Sequence, residues 1–246
     1  MSPRERNHSG GSWFTPRTEP HSVSPMTGAE PPAELRAAAE AVFGDRLGRA
    51  RRYARLLSED AARRGLIGPR EAESVWPRHI LNCGVVQELV PREARIVDVG
   101  SGAGLPGIPL ALARSDLSVW LVEPLERRVA FLVEVVEALE LDEQVRVIRG
   151  RAESAETRGA IGEFDVVTAR AVAPLDRLVP WALPLARPGG KLLALKGARA
   201  ETELRAIGKV LASTGGVAHG VQTCGVGIVD PPTRVVVIER AKKTAR

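Results

Sequence analysis

One stretch of the sequence decides the fold: Asp98-Val99-Gly100-Ser101-Gly102-Ala103-Gly104-Leu105-Pro106-Gly107. It follows an apolar run at residues 95–99 and leads into an apolar helical segment at residues 108–113, so the glycines lie between a strand and a helix. Glycine allows a sharp turn and lets a ligand approach the free N–H groups at the amino end of the helix. The stretch therefore predicts a nucleotide-handling turn, although its glycine spacing alone also fits NAD-binding proteins.

Outward from this turn, short apolar runs alternate with amphipathic helical segments, which indicates right-handed βαβ units and a parallel sheet. Five runs follow this alternation: residues 95–99, 118–122, 145–148, 164–168 and 191–195. Two more runs, residues 217–224 and 234–238, have no helical segment between them and predict a closing antiparallel hairpin. We predict an α/β fold with a Rossmann-like, mostly parallel seven-stranded sheet and an antiparallel C-terminal hairpin. This is the architecture of class I methyltransferases, whereas a dinucleotide dehydrogenase usually has a second mononucleotide-binding half.

One helix between the strands has a clear apolar stripe, which predicts the side that covers the sheet. The stripe consists of Leu125, Val129, Leu132, Val136 and Leu139.

Two carboxylates near the glycines help to identify the ligand. Glu123 closes the second predicted strand, where it can accept hydrogen bonds from both hydroxyls of an adenosine ribose; NAD and S-adenosylmethionine both meet this requirement. Asp98 directly precedes the glycines, where it would repel a pyrophosphate but suit a ligand with a sulfonium and an ammonium group. The pair therefore favours S-adenosylmethionine. The structural alternative is that Asp98 only caps the turn and Glu123 only ends a strand at the surface.

Composition restricts the classes of partner. The 246 residues include 44% apolar side chains, enough for one sizeable core, and the net charge of +5 is compatible with a polyanionic partner. The two cysteines are far apart and lack CxxC spacing, so neither a disulfide framework nor a zinc site is indicated. The sequence contains neither an apolar run of membrane-spanning length nor a signal-peptide pattern, so we expect a cytoplasmic protein with no membrane or metal partner.

The most distinctive motifs lie in five segments. They are Arg78-His79-Ile80-Leu81-Asn82, Asp98 to Pro109, Glu123 to Leu132, Phe164 to Ala171 and Leu193-Ala194-Leu195-Lys196-Gly197. In order and spacing these segments resemble the RsmG (GidB) family of small-subunit ribosomal RNA guanine-N7 methyltransferases, across residues 76–197. Residues 65–71 depart from the common family pattern.

The resemblance implies a binding site for S-adenosyl-L-methionine. Its residues would be Gly100, Leu105, Glu123, Ala152, Glu153 and Arg170. In this site Glu123 would bind the ribose, Ala152-Glu153 would lie against the adenine, and Arg170 would face the reacting groups. As the candidate for orienting the guanine or a neighbouring phosphate we name Arg170, with Lys196 as a second candidate.

The implied substrate is a guanine of 16S ribosomal RNA, either naked or in a small ribosomal subunit, and we expect the enzyme to be a monomer. Guanine N7 has an in-plane lone pair and needs no general base, which agrees with a sequence in which no acid–base pair stands out. His79 is expected to be a packed helix residue and not a catalyst. The alternatives are an NAD-dependent oxidoreductase, a non-catalytic RNA-binding protein, and a methyltransferase that acts on another RNA or a small molecule.

Basic residues are concentrated between residues 46 and 64, where seven arginines stand against two acidic side chains. On charge alone an ordinary solvated helix face is the commoner explanation. With an RNA methyltransferase in view, phosphate contact by Arg51, Arg52 and Arg55 becomes the better explanation, and it predicts binding that weakens steeply with salt.

The sequence predicts four regions along the chain. Residues 1–31 are rich in Ser, Pro, Gly and Thr without hydrophobic periodicity, which is typical of a disordered tail. Residues 32–91 predict a segment of three helices packed on the core, residues 92–241 the methyltransferase domain, and residues 242–246 a basic tail.

Overall fold

The computed structural model describes residues 29–68 and 74–242. The predicted N-terminal tail therefore lies almost entirely outside the described residues, as does most of the predicted basic C-terminal tail. The seven strands are β1 (Arg95–Val99), β2 (Ser118–Glu123), β3 (Val145–Arg149), β4 (Phe164–Arg170), β5 (Ala186–Leu195), β6 (Gly216–Cys224) and β7 (Thr233–Arg240).

These strands form one sheet with the order β3-β2-β1-β4-β5-β7-β6. The first five strands are parallel, and β7 runs antiparallel between β5 and β6. The predicted fold class is therefore confirmed. One boundary was wrong: β4 continues through Arg170, which pairs with Leu195 of β5, so Arg170 is the last residue of the strand and not a loop residue beyond it.

α-Helices flank the sheet on both faces. They are α1 (Arg36–Phe43), α2 (Leu47–Arg55), α3 (Asn82–Gly84), α4 (Gly107–Ala113), α5 (Glu126–Ala138), α6 (Ala155–Ile161), α7 (Leu175–Ala182), α8 (Ala200–Ala206) and α9 (Gly208–Thr214). A π-helical turn, Leu56–Ala61, extends α2, and another, Trp76–Leu81, leads into α3. Single 3₁₀ turns occur at Ala33–Leu35, Gly44–Arg46, Val85–Leu89 and Leu183–Leu185. Within the described residues no helix is both long and apolar enough to cross a membrane.

The core has two parts, one on each face of the sheet. The N-terminal helices, α4 and α5 bury one face, and α6, α7 and α8 bury the other. Successive residues of β1 show the alternation expected of a strand, because Ile96 belongs to the first cluster and Val97 to the second. Parallel strands covered on both faces are typical of this architecture.

The apolar stripe of α5 differs from the predicted one at its amino end. Leu125 is 44% exposed and Val129 is only partly buried, whereas Phe131, Leu132 and Val135 are buried. The helix begins at Glu126, just beyond the carboxyl end of β2, so its first turn projects past the sheet and has little to pack against.

Candidate active site

The glycine-rich turn lies at the carboxyl edge of the parallel strands, where open α/β sheets bind their ligands. Gly102 has a φ of +59°, and a Cβ added there would meet nothing nearer than the Gly100 carbonyl oxygen at 3.9 Å. At Gly107, the first residue of α4, an added Cβ would lie 2.3 Å from Leu121 Cδ2. Gly102 therefore leaves the backbone open to a ligand, and Gly107 allows α4 to pack closely on the sheet.

A cavity of about 180 Å³ opens beside this turn. It is lined by Leu66, Ile67, His79, Gly100, Ser101, Gly102, Ala103, Leu105, Arg128, Arg170 and Ala171. The structure thus brings together three of the residues predicted for cofactor binding, Gly100, Leu105 and Arg170. A larger groove of about 660 Å³ lies at the amino end of β2, away from this edge, and its lining contains none of the predicted site residues.

Glu123 ends β2 beside the turn, and its side chain is buried. One carboxylate oxygen accepts a hydrogen bond from the Gly102 N–H at 3.0 Å, and the other accepts one from the Leu125 N–H at 3.0 Å. Arg128 Nη1 lies 3.7 Å from the same carboxylate. Glu123 is therefore a fixed anion at the mouth of the turn, and the alternative of a simple surface residue at a strand end is wrong.

Ala152 and Glu153 lie in the turn that follows β3, outside the cavity lining. The preceding Gly150 donates its N–H to the Glu123 carbonyl at 3.2 Å, which fixes this turn beside the end of β2. Ala152 is buried, whereas Glu153 is exposed and pairs with Arg151 at 3.6 Å. The two residues are thus near Glu123 along the same edge, but they do not share the cavity with Arg170.

Asp98 does not reach the cavity, because its carboxylate is fully buried below the turn. It accepts hydrogen bonds from the Gly107 N–H at 3.1 Å and from the Thr168 hydroxyl at 3.0 Å. Burial raises the pKa of Asp98 to about 7, against the lowering effect of these hydrogen bonds and of the Arg170 charge. The turn-capping alternative therefore describes its contacts in this structure, and its preference for a cationic ligand stays a prediction.

This buried carboxyl predicts a pH dependence of stability that an amide would remove. The folded state keeps the Asp98 proton up to about pH 7, whereas an unfolded chain releases it near pH 3.8, so this group's stabilising contribution is complete below pH 3.8 and lost as pH rises towards 7. Asp98→Asn should flatten the decline of the free energy of unfolding between about pH 4 and 7, measured by urea titration of both proteins at each pH. Parallel curves for the two proteins would contradict the prediction.

Arg170 connects the end of β4 to the N-terminal helices. Its Nη1 donates to Cys83 Sγ at 3.1 Å, and its Nη2 lies 2.5 Å from His79 Nδ1. His79 is buried in the π-helical turn, as expected of a packed helix residue, and it also lines the cavity. Burial raises the pKa of the Cys83 thiol, with the nearby Arg170 charge acting in the opposite direction. The thiol therefore acts as a neutral hydrogen-bonding partner for the guanidinium.

Tyr53 is a contact that the sequence did not reveal. It lies on α2, is fully buried, and donates its hydroxyl to the Ala103 carbonyl at 2.8 Å, inside the glycine-rich turn. Burial raises the pKa of Tyr53 well above its usual value, so the hydroxyl remains a donor. The N-terminal helices therefore help to shape the turn. The sequence feature that sets this residue apart is that Tyr53 is the only tyrosine of the chain.

Lys196, just after β5, is held within the protein. Its side chain is 13% exposed, and its ammonium donates to the Ala173 carbonyl at 2.7 Å and to Glu203 at 2.9 Å. It thereby connects the loop after β4 to α8. RNA contact by Lys196 stays a prediction, and in this conformation its ammonium already has two partners.

The basic stretch of the N-terminal helices is also largely engaged by the core. Four arginines contact residues that are 65 to 98 positions distant: Arg46 with Ala111 and Gln144, Arg49 with Glu140, Arg52 with Ala138, and Arg64 with Glu134. Of the three predicted RNA contacts, Arg52 is thus bound to α5, and Arg51 pairs with Glu30 at 3.0 Å. Arg55 is exposed and has no ion pair with a described residue. Most arginines of this stretch therefore have partners within the protein, and Arg55 is the exception.

Across residues 29–68 and 74–242, no three His, Cys, Asp or Glu side chains form a group that could hold a metal ion.

Comparison with known proteins gives a consistent family. The GidB family model, described as rRNA small subunit methyltransferase G, matches residues 46–243. A protein of Salinispora arenicola named ribosomal RNA small subunit methyltransferase G is 58% identical over 220 residues, which are 88% of this chain and 91% of the relative. A protein of the same name from Streptomyces avermitilis is 56% identical over 209 residues, 85% of this chain and 86% of the relative.

Solved structures show the same fold at low sequence identity. An O-methyltransferase family protein from Burkholderia thailandensis is similar with a TM-score of 0.53 and 15% identity, over 83% of this chain and 63% of that chain. The tRNA methyltransferase TrmK of B. subtilis is similar with a TM-score of 0.50 and 16% identity, over 65% of this chain and 66% of that chain. These similarities concern the fold alone.

Proposed function

The chain belongs to the GidB family of rRNA small subunit methyltransferases, and from this we propose that it transfers a methyl group from S-adenosylmethionine to N7 of a guanine in 16S ribosomal RNA. The observation that carries the proposal is the joint placement of the glycine turn, the Glu123 carboxylate and Arg170 at one edge of the sheet. The decoding-region loop is the proposed location of the guanine, and the cytoplasm is the proposed place of action.

The residues present fit the methyl donor. The open space at Gly102 allows close approach to the backbone, and the buried Glu123 carboxylate can accept hydrogen bonds from ribose hydroxyls. The cavity of about 180 Å³ is smaller than a typical ligand pocket of roughly 300–1,000 Å³. We therefore propose that it holds the methionine part against Gly100 and Leu105, and that the adenosine lies along the more open edge at Glu123, Ala152 and Glu153.

When bound, S-adenosylmethionine supplies an electrophilic methyl group on a positively charged sulfur. The guanine N7 lone pair lies in the plane of the base and is not protonated at neutral pH, so the protein need not remove a proton. The chain's contribution is then to hold the two reactants at the distance and angle for in-line transfer, an effect of roughly 7–11 kcal/mol in favourable cases. Residues that orient the base, and not an acid–base pair, are what this reaction requires.

Arg170 is the proposed residue for orienting the guanine, because it lines the cavity and is fixed from behind by His79 and Cys83. Arg170→Ala should lower the rate of rRNA methylation at saturating donor by about 10²-fold, as expected when a positioning hydrogen bond is lost at the reacting centre. Single-turnover methylation of small-subunit rRNA measures this rate. Unchanged methylation by the variant would remove Arg170 from this role.

The proposal as a whole is tested by mapping N7-methylguanine in small-subunit rRNA from cells with and without this protein. Loss of one N7-methylguanine in the cells that lack the protein is the expected result. An unchanged map would reject the guanine-N7 assignment and favour another RNA or a small molecule as the acceptor.

A further inference from the structure

Arg127 is placed where the fold itself does not favour a cation. It lies in the first turn of the 13-residue helix α5, where the helix dipole disfavours positive charge by about 0.3–1 kcal/mol. The neighbouring Arg128 is compensated by Glu123, whereas Arg127 is exposed and has no ion pair with any residue in the described ranges. Arg127 is thus a cation that the folded protein leaves available.

Leu125 adds apolar surface at the same place. It is 44% exposed, and its backbone N–H is held by Glu123, so its position at the mouth of the turn is fixed. A fixed apolar side chain beside an available arginine suits a nucleotide, because the apolar surface can contact a base while the guanidinium contacts a phosphate.

A second available arginine lies on the other side of the cavity. Arg199 is in the loop between β5 and α8, is exposed, and has no ion pair within the part of the chain that the structure describes. Lys196 fixes the start of this loop through the Ala173 carbonyl, and Arg234 contacts the Ala198 carbonyl at 3.4 Å. The loop is therefore anchored beside the end of β4.

The strand order sets the separation between these two positions. From β2, which precedes Arg127, to β5, which precedes Arg199, there are three steps across the sheet through β1 and β4. At about 4.8 Å a step, the strands are roughly 14 Å apart. Of the cavity-lining residues, Gly100 follows β1, Arg170 ends β4 and Ala171 comes directly after it, so all three lie between the two arginines.

We propose that Arg127 and Arg199 bind phosphates of the substrate RNA on the two sides of the target guanine, with Leu125 in contact with a neighbouring base. The RNA strand then crosses the carboxyl edge of the sheet from β2 to β5, over the cavity. This inference rests on the proposed function and assigns phosphate binding to the edge of the sheet, because three of the four arginines of α2 already have partners within the protein.

The test compares the full-length wild-type protein with three double variants and one single variant, using a small-subunit rRNA transcript. The double variant with Arg127→Ala and Arg199→Ala should bind RNA at least tenfold more weakly than wild type at salt concentrations from about 50 to 200 mM. Its plot of log K against log salt should be shallower than that of wild type by about 2, one for each phosphate contact. Arg127→Lys with Arg199→Lys retains the charges and should retain the slope.

The matched control is Arg92→Ala, which replaces an exposed arginine at the amino edge of β1 and should bind RNA like wild type. Arg51→Ala with Arg55→Ala tests the α2 surface, and a small effect is expected.

The outcomes separate this inference from the proposed function. Binding and methylation by the double alanine variant at wild-type level would overturn the inference while leaving the proposed function intact. A loss confined to the Arg51 and Arg55 variant would also overturn it, in favour of α2. Equal loss of S-adenosylmethionine affinity, measured by calorimetry, would show that the arginines act on the cofactor site and not on RNA. If wild type neither binds nor methylates the rRNA, the proposed function itself fails.

Discussion

Replacement of Gly107 by alanine is expected to lower the melting temperature by several degrees and to weaken S-adenosylmethionine binding at least tenfold. The added Cβ would lie 2.3 Å from Leu121 Cδ2 and 3.0 Å from Asp98 Oδ2, and both side chains are fully buried with little room to move. Overpacking of this kind costs ~1–3 kcal/mol, and in a chain of this size each kcal/mol shifts the melting temperature by roughly 2–4 °C. Binding suffers as well, because the Gly107 N–H would be pushed from Asp98 and the turn would shift with it.

The matched control is Gly208→Ala. Gly208 begins α9, is exposed, and has nothing within 4 Å of an added Cβ. Because alanine favours the helix over glycine by up to about 1 kcal/mol, this variant should melt at or slightly above the wild-type temperature and bind the donor normally. Differential scanning calorimetry and donor titration of the two variants give the comparison. Equal melting temperatures and affinities would mean that α4 is not packed on the sheet as closely as described.

The sheet and the glycine turn could be predicted because their signals are local. Each of the first five strands contains a short β-branched or apolar run, and the conformational freedom that the turn needs is visible as glycine at Gly100, Gly102 and Gly104. The direction of the last two strands followed from the missing helix between them. Periodicity failed only where a helix extends beyond the sheet, at Leu125, because a stripe does not show where its partner surface ends.

The cavity walls and the fate of the arginines could not be predicted, because they depend on contacts between distant residues. Leu66 and Ile67 line the cavity only because α2 packs on α4 and brings the following loop to the turn. Arg64 has no obvious partner in the sequence, but in the folded protein it pairs with Glu134, which is 70 residues away. A count of charges along the sequence includes such an arginine as surface charge, whereas in the folded protein its partner comes from another part of the chain.

Glu123→Ala is expected to weaken S-adenosylmethionine binding by roughly 10- to 100-fold. A hydrogen bond to a charged group contributes about 1.5–3 kcal/mol, and about 1.4 kcal/mol corresponds to a tenfold change in affinity. Glu123→Gln retains one acceptor oxygen and should show a smaller loss. Titration calorimetry should be carried out with both S-adenosylmethionine and S-adenosylhomocysteine. The two ligands share the ribose but differ in charge at sulfur, so loss of ribose contacts should weaken both equally.

Glu126→Ala is the control for a general change of charge. Glu126 is only three residues further along, but its side chain is 78% exposed and pairs with Arg149 at 3.1 Å on the surface of α5, a kind of pair that contributes little to stability. The affinity of the Glu126→Ala variant for both ligands should stay within twofold of wild type. A loss in Glu123→Ala that is confined to the sulfonium ligand would show that the carboxylate acts through its charge and not through the ribose. An unchanged affinity for both ligands would remove Glu123 from the cofactor site and, with it, the main support for the placement of the donor along this edge.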